Sequence, residues 1–343
     1  PLGRRNGNEM NVEREPVMPD VQKIMQQTAK RKRKAERRDL RRSMSFASWA
    51  VCGMLLCANV LVILLQVFGM LVSPSHNLSV GMSSELYYLM QCVATAVGTP
   101  LSFLVFAVVK EVDFSDYLRF RKVKFGHSLL YIGFGVLVCM LANFPAQMLS
   151  EWITDAGYTD ITTSMPSIDS PLAAVAFAAG IAVLPPIAEE FAFRGIVLSH
   201  LRRHGDFLAV MVSALLFALV HGNVVQIPFA FFAGIALGVA YVKTNNLLVP
   251  IVIHLLNNGL SVVVQLALVY GGENLANMVS VFGMLALLIF GGVSVVIMLV
   301  KTVRGHDMLR LDAPKETNVS PLGRLWVCLS SSGFLVLLGY TVL

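Results

Sequence analysis

The sequence predicts an all-α fold, a polytopic transmembrane helical bundle of about nine spans with its N-terminus in the cytoplasm. Three observations predict it. Of 343 residues, 56% are hydrophobic and only 14% charged, against roughly 25% charged in a soluble domain. The apolar residues arrive in continuous blocks, several of them near the 20 or so residues that a helix needs to cross a bilayer core of about 30 Å. The lysines and arginines fall on alternate connecting segments. Spans of a β-barrel would alternate polar and apolar residues over about ten positions, and these blocks do not.

The blocks run 46–72, 86–109, 128–149, 171–200, 207–221, 227–241, 249–270, 275–300 and 325–343. The fourth contains a polar interruption. The fifth and sixth are short for full spans, as fits tilted helices or helices inside a protein-lined interior. The chain then divides into a basic cytoplasmic tail over 1–43, N-terminal transmembrane helices over 44–170, a core over 171–270 that carries the chemistry, and C-terminal transmembrane helices over 271–343. No internal repeat is apparent. Gly234 and Gly238 in the sixth block form a small-xxx-small pair that lets a neighbouring helix come close.

Charge sets the orientation. With the tail inside and sides alternating, the inside segments carry all 27 Lys and Arg residues. They lie in the tail, the 110–124 loop, at Arg194, Arg202, Arg203 and Lys243, and in the 301–324 loop. The outside loop 150–170 holds Glu151, Asp155, Asp160 and Asp169 but no basic residue. This is the positive-inside pattern, and it sets nine spans with the N-terminus in and the C-terminus out. The expected location is the bacterial cell membrane.

The run Lys30, Arg31, Lys32, Arg33, Lys34, Arg37, Arg38, Arg41 and Arg42 ends where the first apolar block begins. Such a cluster is drawn to anionic lipid headgroups by about 1 kcal/mol per basic residue. A solvated tail that only enforces topology has the same composition. The net charge of +6 does not indicate nucleic acid, because no aromatics are interleaved with the charges. The segment is too long, and the block after it too nearly spanning, for a signal peptide. The chain begins at Pro1, and Met10 is a candidate native start. The five cysteines, Cys52, Cys57, Cys92, Cys139 and Cys328, lie in apolar blocks without a CxxC pair, so neither a disulfide framework nor a thiolate metal site is expected.

A charge inside a bilayer costs about 2.5 kcal/mol or more, and one apolar block holds a dense cluster. Its sequence is Pro185-Pro186-Ile187-Ala188-Glu189-Glu190-Phe191-Ala192-Phe193-Arg194. Glu190 and Arg194 share a helix face and can pair. Glu189 lies about 100° further round without a local partner, as suits a general base that faces water or a cation. The two prolines break the backbone ladder, which is tolerated where a cavity or neighbouring helices satisfy the freed groups.

Histidines follow in two other blocks, with Phe217 four before His221 and Asn258 four after His254. At about 1.5 Å per residue, Glu189 lies about 20 Å from Arg202, His221 about 21 Å from Phe207, and His254 about 16 Å from Lys243. Three helices thus bring Glu189, His221 and His254 to a similar depth. A lone membrane histidine is more often an interhelical hydrogen-bond donor than a catalyst, and Asn257 is as readily a packing residue as Asn258 a ligand. The set at one depth is what indicates a site.

These residues resemble the motifs of the CPBP family, the CAAX proteases and bacteriocin-processing or immunity enzymes also called Abi. The family's two glutamates with an arginine four after the second match Glu189, Glu190 and Arg194. Its phenylalanine and histidine match Phe217 and His221, and its histidine and asparagine match His254 and Asn258. The resemblance spans about residues 172–264. It implies a helical intramembrane endopeptidase in which Glu189 and a histidine activate water and Asn258 helps hold the oxyanion. Glu190, Arg194 and Phe217 would be supports. Zinc is one option, with His221 and His254 as ligands; a metal-free glutamate mechanism uses the same residues. The implied substrate is a membrane-associated or lipidated peptide. Two other readings are a non-catalytic scaffold or immunity protein on this fold, and a proton-coupled transporter, which inverted repeats would favour.

Overall fold

Nothing after Pro19 interrupts the backbone until Pro74, and the basic run is built from good helix formers, Ala, Lys, Arg, Glu and Leu. In the computed structural model, which describes residues 19–72, 82–109, 114–157, 166–312 and 317–342, this stretch is one helix, α1, Pro19–Val72. Residue 43 therefore marks a change of composition along one helix. The first 18 residues, Met10 included, and parts of the 110–124, 150–170 and 301–324 loops lie outside the described residues.

The apolar runs that follow are α2, Ser84–Val105; α3, Phe125–Asp155; and α4, Pro171–His204. Next come α5, Asp206–Leu219; α6, Gln226–Thr244; α7, Leu248–Val303; α8, Pro321–Leu329; and α9, Ser332–Val342. Several ends are written in the sequence. Ser83, Ser170 and Ser320 each accept a hydrogen bond from the first turn of α2, α4 and α8, and a proline opens α4 and α8 where a missing N–H costs nothing. Asn245 closes α6 in the left-handed conformation, φ 48°. Among the described residues the only β pairing is an isolated bridge between Phe120 and Asn246.

Among the described residues six helices are long and apolar enough to cross a membrane, and α8 with α9, bent by 63°, makes up to seven. The nine apolar blocks therefore do not each form a separate long helix. The fifth block forms a helix of only 14 residues, α5. The seventh and eighth blocks fall in one helical run, α7, because the chain reverses at Gly272 alone (φ 76°, ψ −178°), a conformation open to glycine. The two halves of α7 then lie together, with Leu260 against Gly283.

Glycines set the closest contacts. A Cβ on Gly234 would lie 3.0 Å from the Cα of Ala214, and one on Gly238 would lie 3.1 Å from Val210. The small-xxx-small pair thus seats α6 on α5. Both halves of α7 pack on α3: Ile253 fills the space over Gly135, and Ser294 that over Gly133.

The basic segments gather at one end of the bundle. Arg202 and Arg119 both donate to Asn245 Oδ1, at 2.8 and 3.2 Å. Arg203 pairs with Asp39 of α1 at 3.2 Å, Lys243 lies 3.8 Å from Asp307, and Arg324 donates to the carbonyl of His204. The end of the basic run is thereby built into the fold, with Leu40, Ser43 and Met44 buried.

The α3–α7 contact yields a stability prediction. A Cβ on Gly291 would sit 2.6 Å from Leu137 Cβ and 2.8 Å from the Gly133 carbonyl, whereas one on Gly292 would meet nothing within 4 Å. Gly291→Val is expected to destabilise the protein by about 1–3 kcal/mol through overpacking, read as a lower thermal unfolding midpoint in detergent. Gly292→Val should stay near wild type in the same assay. Equal effects would contradict this packing.

Candidate active site

The site begins with a backbone defect in α4. A helix carbonyl is normally taken by the N–H four residues on, or five on in a widened turn. For Ile181 those donors would be Pro185 and Pro186, which have no N–H. The backbone at Val183 departs accordingly (φ −113°, ψ −55°), and widened turns cover Ala179–Val183 and Phe191–Leu198. Asn258 of α7 supplies the missing donor, its Nδ2 reaching the Ile181 carbonyl at 3.0 Å. The proline pair thus fixes where α7 docks. One N–H of the Asn258 amide remains for another acceptor, and its Oδ1 accepts from Asn257 at 3.1 Å.

One helical turn on, Glu190 and Arg194 are both fully buried and pair at 2.8 Å. Arg194 also donates to the Gly234 carbonyl of α6 at 3.2 Å, and its guanidinium lies 4.4 Å from the centre of the Phe217 ring on α5. The ion pair, the carbonyl and the ring face together offset the desolvation of a buried charge. The same carboxylate oxygen of Glu190 takes His254 Nδ1 of α7 at 3.0 Å. Glu190 therefore orients a histidine as well as pairing with Arg194, a link that sequence spacing does not reveal because the partners are 64 residues apart.

Glu189 faces elsewhere. Its side chain keeps 24% of its accessible surface, and Oε2 lies 3.8 Å from His254 Nε2. It lines a cavity of about 220 Å³ together with His221, His254, Asn258, Asn257 and Gln226. Phe217 forms a wall with its ring edge-on to both His221 and His254, at centroid distances of 5.0 and 5.9 Å. All the sequence-predicted site residues thus converge, with Glu190 and Arg194 behind the wall. Asn257 and Gln226 join the cavity. Their only sequence signal is a neutral amide near an apolar block, which is common at helix ends.

Hydrogen-bond partners assign the tautomers. His221 Nδ1 lies 2.8 Å from the Phe217 carbonyl, which can only accept, so Nδ1 carries the proton. His254 Nδ1 likewise faces a carboxylate held by Arg194. In the neutral rings both Nε2 atoms are unprotonated. Such atoms can ligate zinc, but among the described residues no three His, Cys, Asp or Glu side chains converge into a set able to hold a metal ion.

The buried pair carries a prediction. Arg194→Met strands the Glu190 carboxylate and is expected to cost about 3–5 kcal/mol. The double variant Glu190→Gln with Arg194→Met should lose clearly less than the sum of the single losses, as read by thermal unfolding in detergent. Strict additivity would mean that the two charges are not coupled.

Residues 171–260 match the family described as type II CAAX prenyl endopeptidase Rce1-like. The chain is 38% identical over 93 residues to the membrane-embedded CAAX protease MroQ of Staphylococcus aureus, a match covering 25% of this chain and 38% of that protein. It is 23% identical over 164 residues to the "Putative membrane peptidase YdiL" of Bacillus subtilis, covering 48% of this chain and 67% of that protein. The chain therefore spans little more than a third of the length of MroQ. No solved structure matches it. The motif residues Glu189, Glu190, Arg194, Phe217, His221, His254 and Asn258 all lie inside the matched segment, so this core of an integral, multi-pass membrane protein is similar to the CAAX-protease-like proteins of the CPBP family.

Proposed function

We propose that the chain is an intramembrane endopeptidase of the CAAX protease type, hydrolysing a peptide bond in or near the membrane with a water activated by Glu189. The observation that carries this is the unequal environment of two adjacent carboxylates. Glu190 is sealed by Arg194 and His254, while Glu189 borders the cavity. The 3.8 Å gap between Glu189 Oε2 and His254 Nε2 is too long for a hydrogen bond and suits a shared water.

In the proposed reaction, Glu189 takes a proton from that water as its oxygen bonds to the substrate's carbonyl carbon. The free N–H of Asn258 meets the charge that develops on the carbonyl oxygen. Collapse breaks the C–N bond, and the proton on Glu189 passes to the departing amine. Neutral His221 and His254 each offer an Nε2 acceptor to hold the water, and Glu190 keeps His254 in its tautomer. No step is routed through a metal.

The proposed substrate is a membrane-associated or lipidated peptide, a reading supported by the membrane setting and by the likeness to CAAX proteases. Anionic lipids are the proposed partner of the basic helix end, where Arg38, Arg41, Arg42 and Arg203 line a cleft with Phe46 and Trp49. Clustered at one end of the bundle, the basic loops favour a cytoplasmic N-terminus and nine membrane passages, with α5 a short one. In a chain whose native cysteines are replaced, Asp155→Cys should react with an impermeant thiol reagent added to intact cells, and Arg310→Cys should not. The reverse result overturns the orientation.

Glu189→Gln keeps the shape and removes the base. Cleavage of fluorogenic lipidated peptides by protein in vesicles should fall about 10²–10⁴-fold, with little change in unfolding temperature. Glu190→Gln should lower stability at least as clearly as turnover. Near-full cleavage by Glu189→Gln would sink the reading. Zinc near one per chain, lost with His254→Ala, would replace the direct route with a metal-assisted one.

A further inference from the structure

Beside the catalytic cavity lies a second cavity of about 570 Å³ that shares Gln226, Phe229, Asn257 and Asn258 with it. It sits among the upper turns of α3, both halves of α7 and the α5–α6 turn, towards the end of the bundle that carries the Gly222 turn and the Gly272 reversal. Its lining holds six primary amides and two serines, and no Asp, Glu, Lys, Arg or His. On α7 the polar residues form one stripe: His254, Asn258, Ser261 and Gln265 are spaced 4, 3 and 4 apart, along a single helix face. The stripe runs from the reacting groups into the groove through a helix otherwise rich in Val and Leu.

The amides are incompletely used. Asn143 spends its donor on Cys139 and Met140 carbonyls at 3.0 and 3.4 Å, leaving Oδ1. Asn223 accepts from Val225 N at 2.9 Å, leaving its NH₂. The side chains of Gln226 and Gln265 make no hydrogen bond among the described residues. Polar groups at membrane depth are expensive and mark functional paths.

We infer that this groove holds the substrate as an extended, uncharged peptide segment, pairing its backbone N–H and C=O groups with the amides while the scissile bond lies beside Glu189. This rests on the protease reading above. A peptide bond inside a helix is shielded, so the segment to be cut must unwind. Unwound backbone in a bilayer has no water to satisfy it, and the described residues offer no sheet edge. Primary amides supply both a donor and an acceptor without a charge. They match a peptide backbone, and they would select against charged side chains.

The test separates binding from cleavage. A photo-cross-linking benzoyl-phenylalanine is placed at Val264, in the groove, or at Ile289, exposed on the outer face of α7. The protein carries Glu189→Gln and sits in phosphatidylcholine vesicles. The probe is a fluorescent, uncharged membrane peptide with a central Gly-Pro break; an unbroken poly-Leu peptide is the control. Labelling of the broken peptide is expected from Val264 and not from Ile289. It should fall about ten-fold with Asn143→Leu plus Gln265→Leu, the scale of two lost hydrogen bonds. Equal labelling by the unbroken peptide, or labelling unchanged by the double substitution, overturns the inference. In active protein the same pair should raise KM about ten-fold with kcat within about three-fold. Cleavage with unchanged KM sinks the groove and leaves the protease standing. Specific labelling without any cleavage by wild type sinks the protease and leaves the groove.

Discussion

The structure depends on one buried charge. Arg194 sits inside the membrane domain with no exposed surface, and its desolvation must be offset by partners from several directions. Glu190 neutralises it from its own helix, Gly234 presents a carbonyl from α6, and Phe217 presents a ring face from α5. Glu190 then extends the cluster to His254 on α7. Four helices meet at one polar knot. Lipid offers none of these groups a substitute partner, so a loose arrangement is penalised far more here than in water.

The knot also separates the roles of the two adjacent glutamates. A single residue step, about 100° of helix rotation, places Glu190 inside it and Glu189 at its edge, against the cavity. The proline pair a few residues earlier acts on the same geometry from the other side. By removing both possible donors to Ile181 O, it leaves an acceptor that Asn258 satisfies. A local backbone defect is thus converted into a docking point, and the docked helix is the one that carries His254. The active-site wall, the histidine and the asparagine are positioned by groups that take no part in the proposed chemistry.

Away from the site, close packing is set by the absence of side chains. Without a hydrophobic drive between helices in lipid, contact area must come from close approach. Gly133, Gly135 and Gly291 let α3 and α7 meet, and Gly234 and Gly238 do the same for α5 and α6. At the basic end, Asp39, Ser43 and Glu36 of α1 bond to Arg203, His204 and Asn318, so the charged half of α1 is tied to the core.

The amino-acid sequence by itself determined the helical class, the position of each apolar block and the candidate residues that line one cavity or stand behind it. Block length, helical spacing and the cost of intramembrane charge are local properties, and Glu189, Glu190, Arg194, His221 and His254 stood out by them, while the parts of Phe217 and Asn258 were implied by the family resemblance. Tertiary structure decided what each residue touches. That Glu190 holds His254, that Asn258 spends a donor on Ile181, and that Asn257 and Gln226 enter the cavity all depend on contacts across tens of residues, for which helix periodicity carries no information. The number of separate long helices differs from the number of apolar blocks for a similar reason. A block's length shows that it is apolar, but whether it stops short, as α5 does, or reverses at a single glycine, as α7 does at Gly272, is set by the helices packed around it.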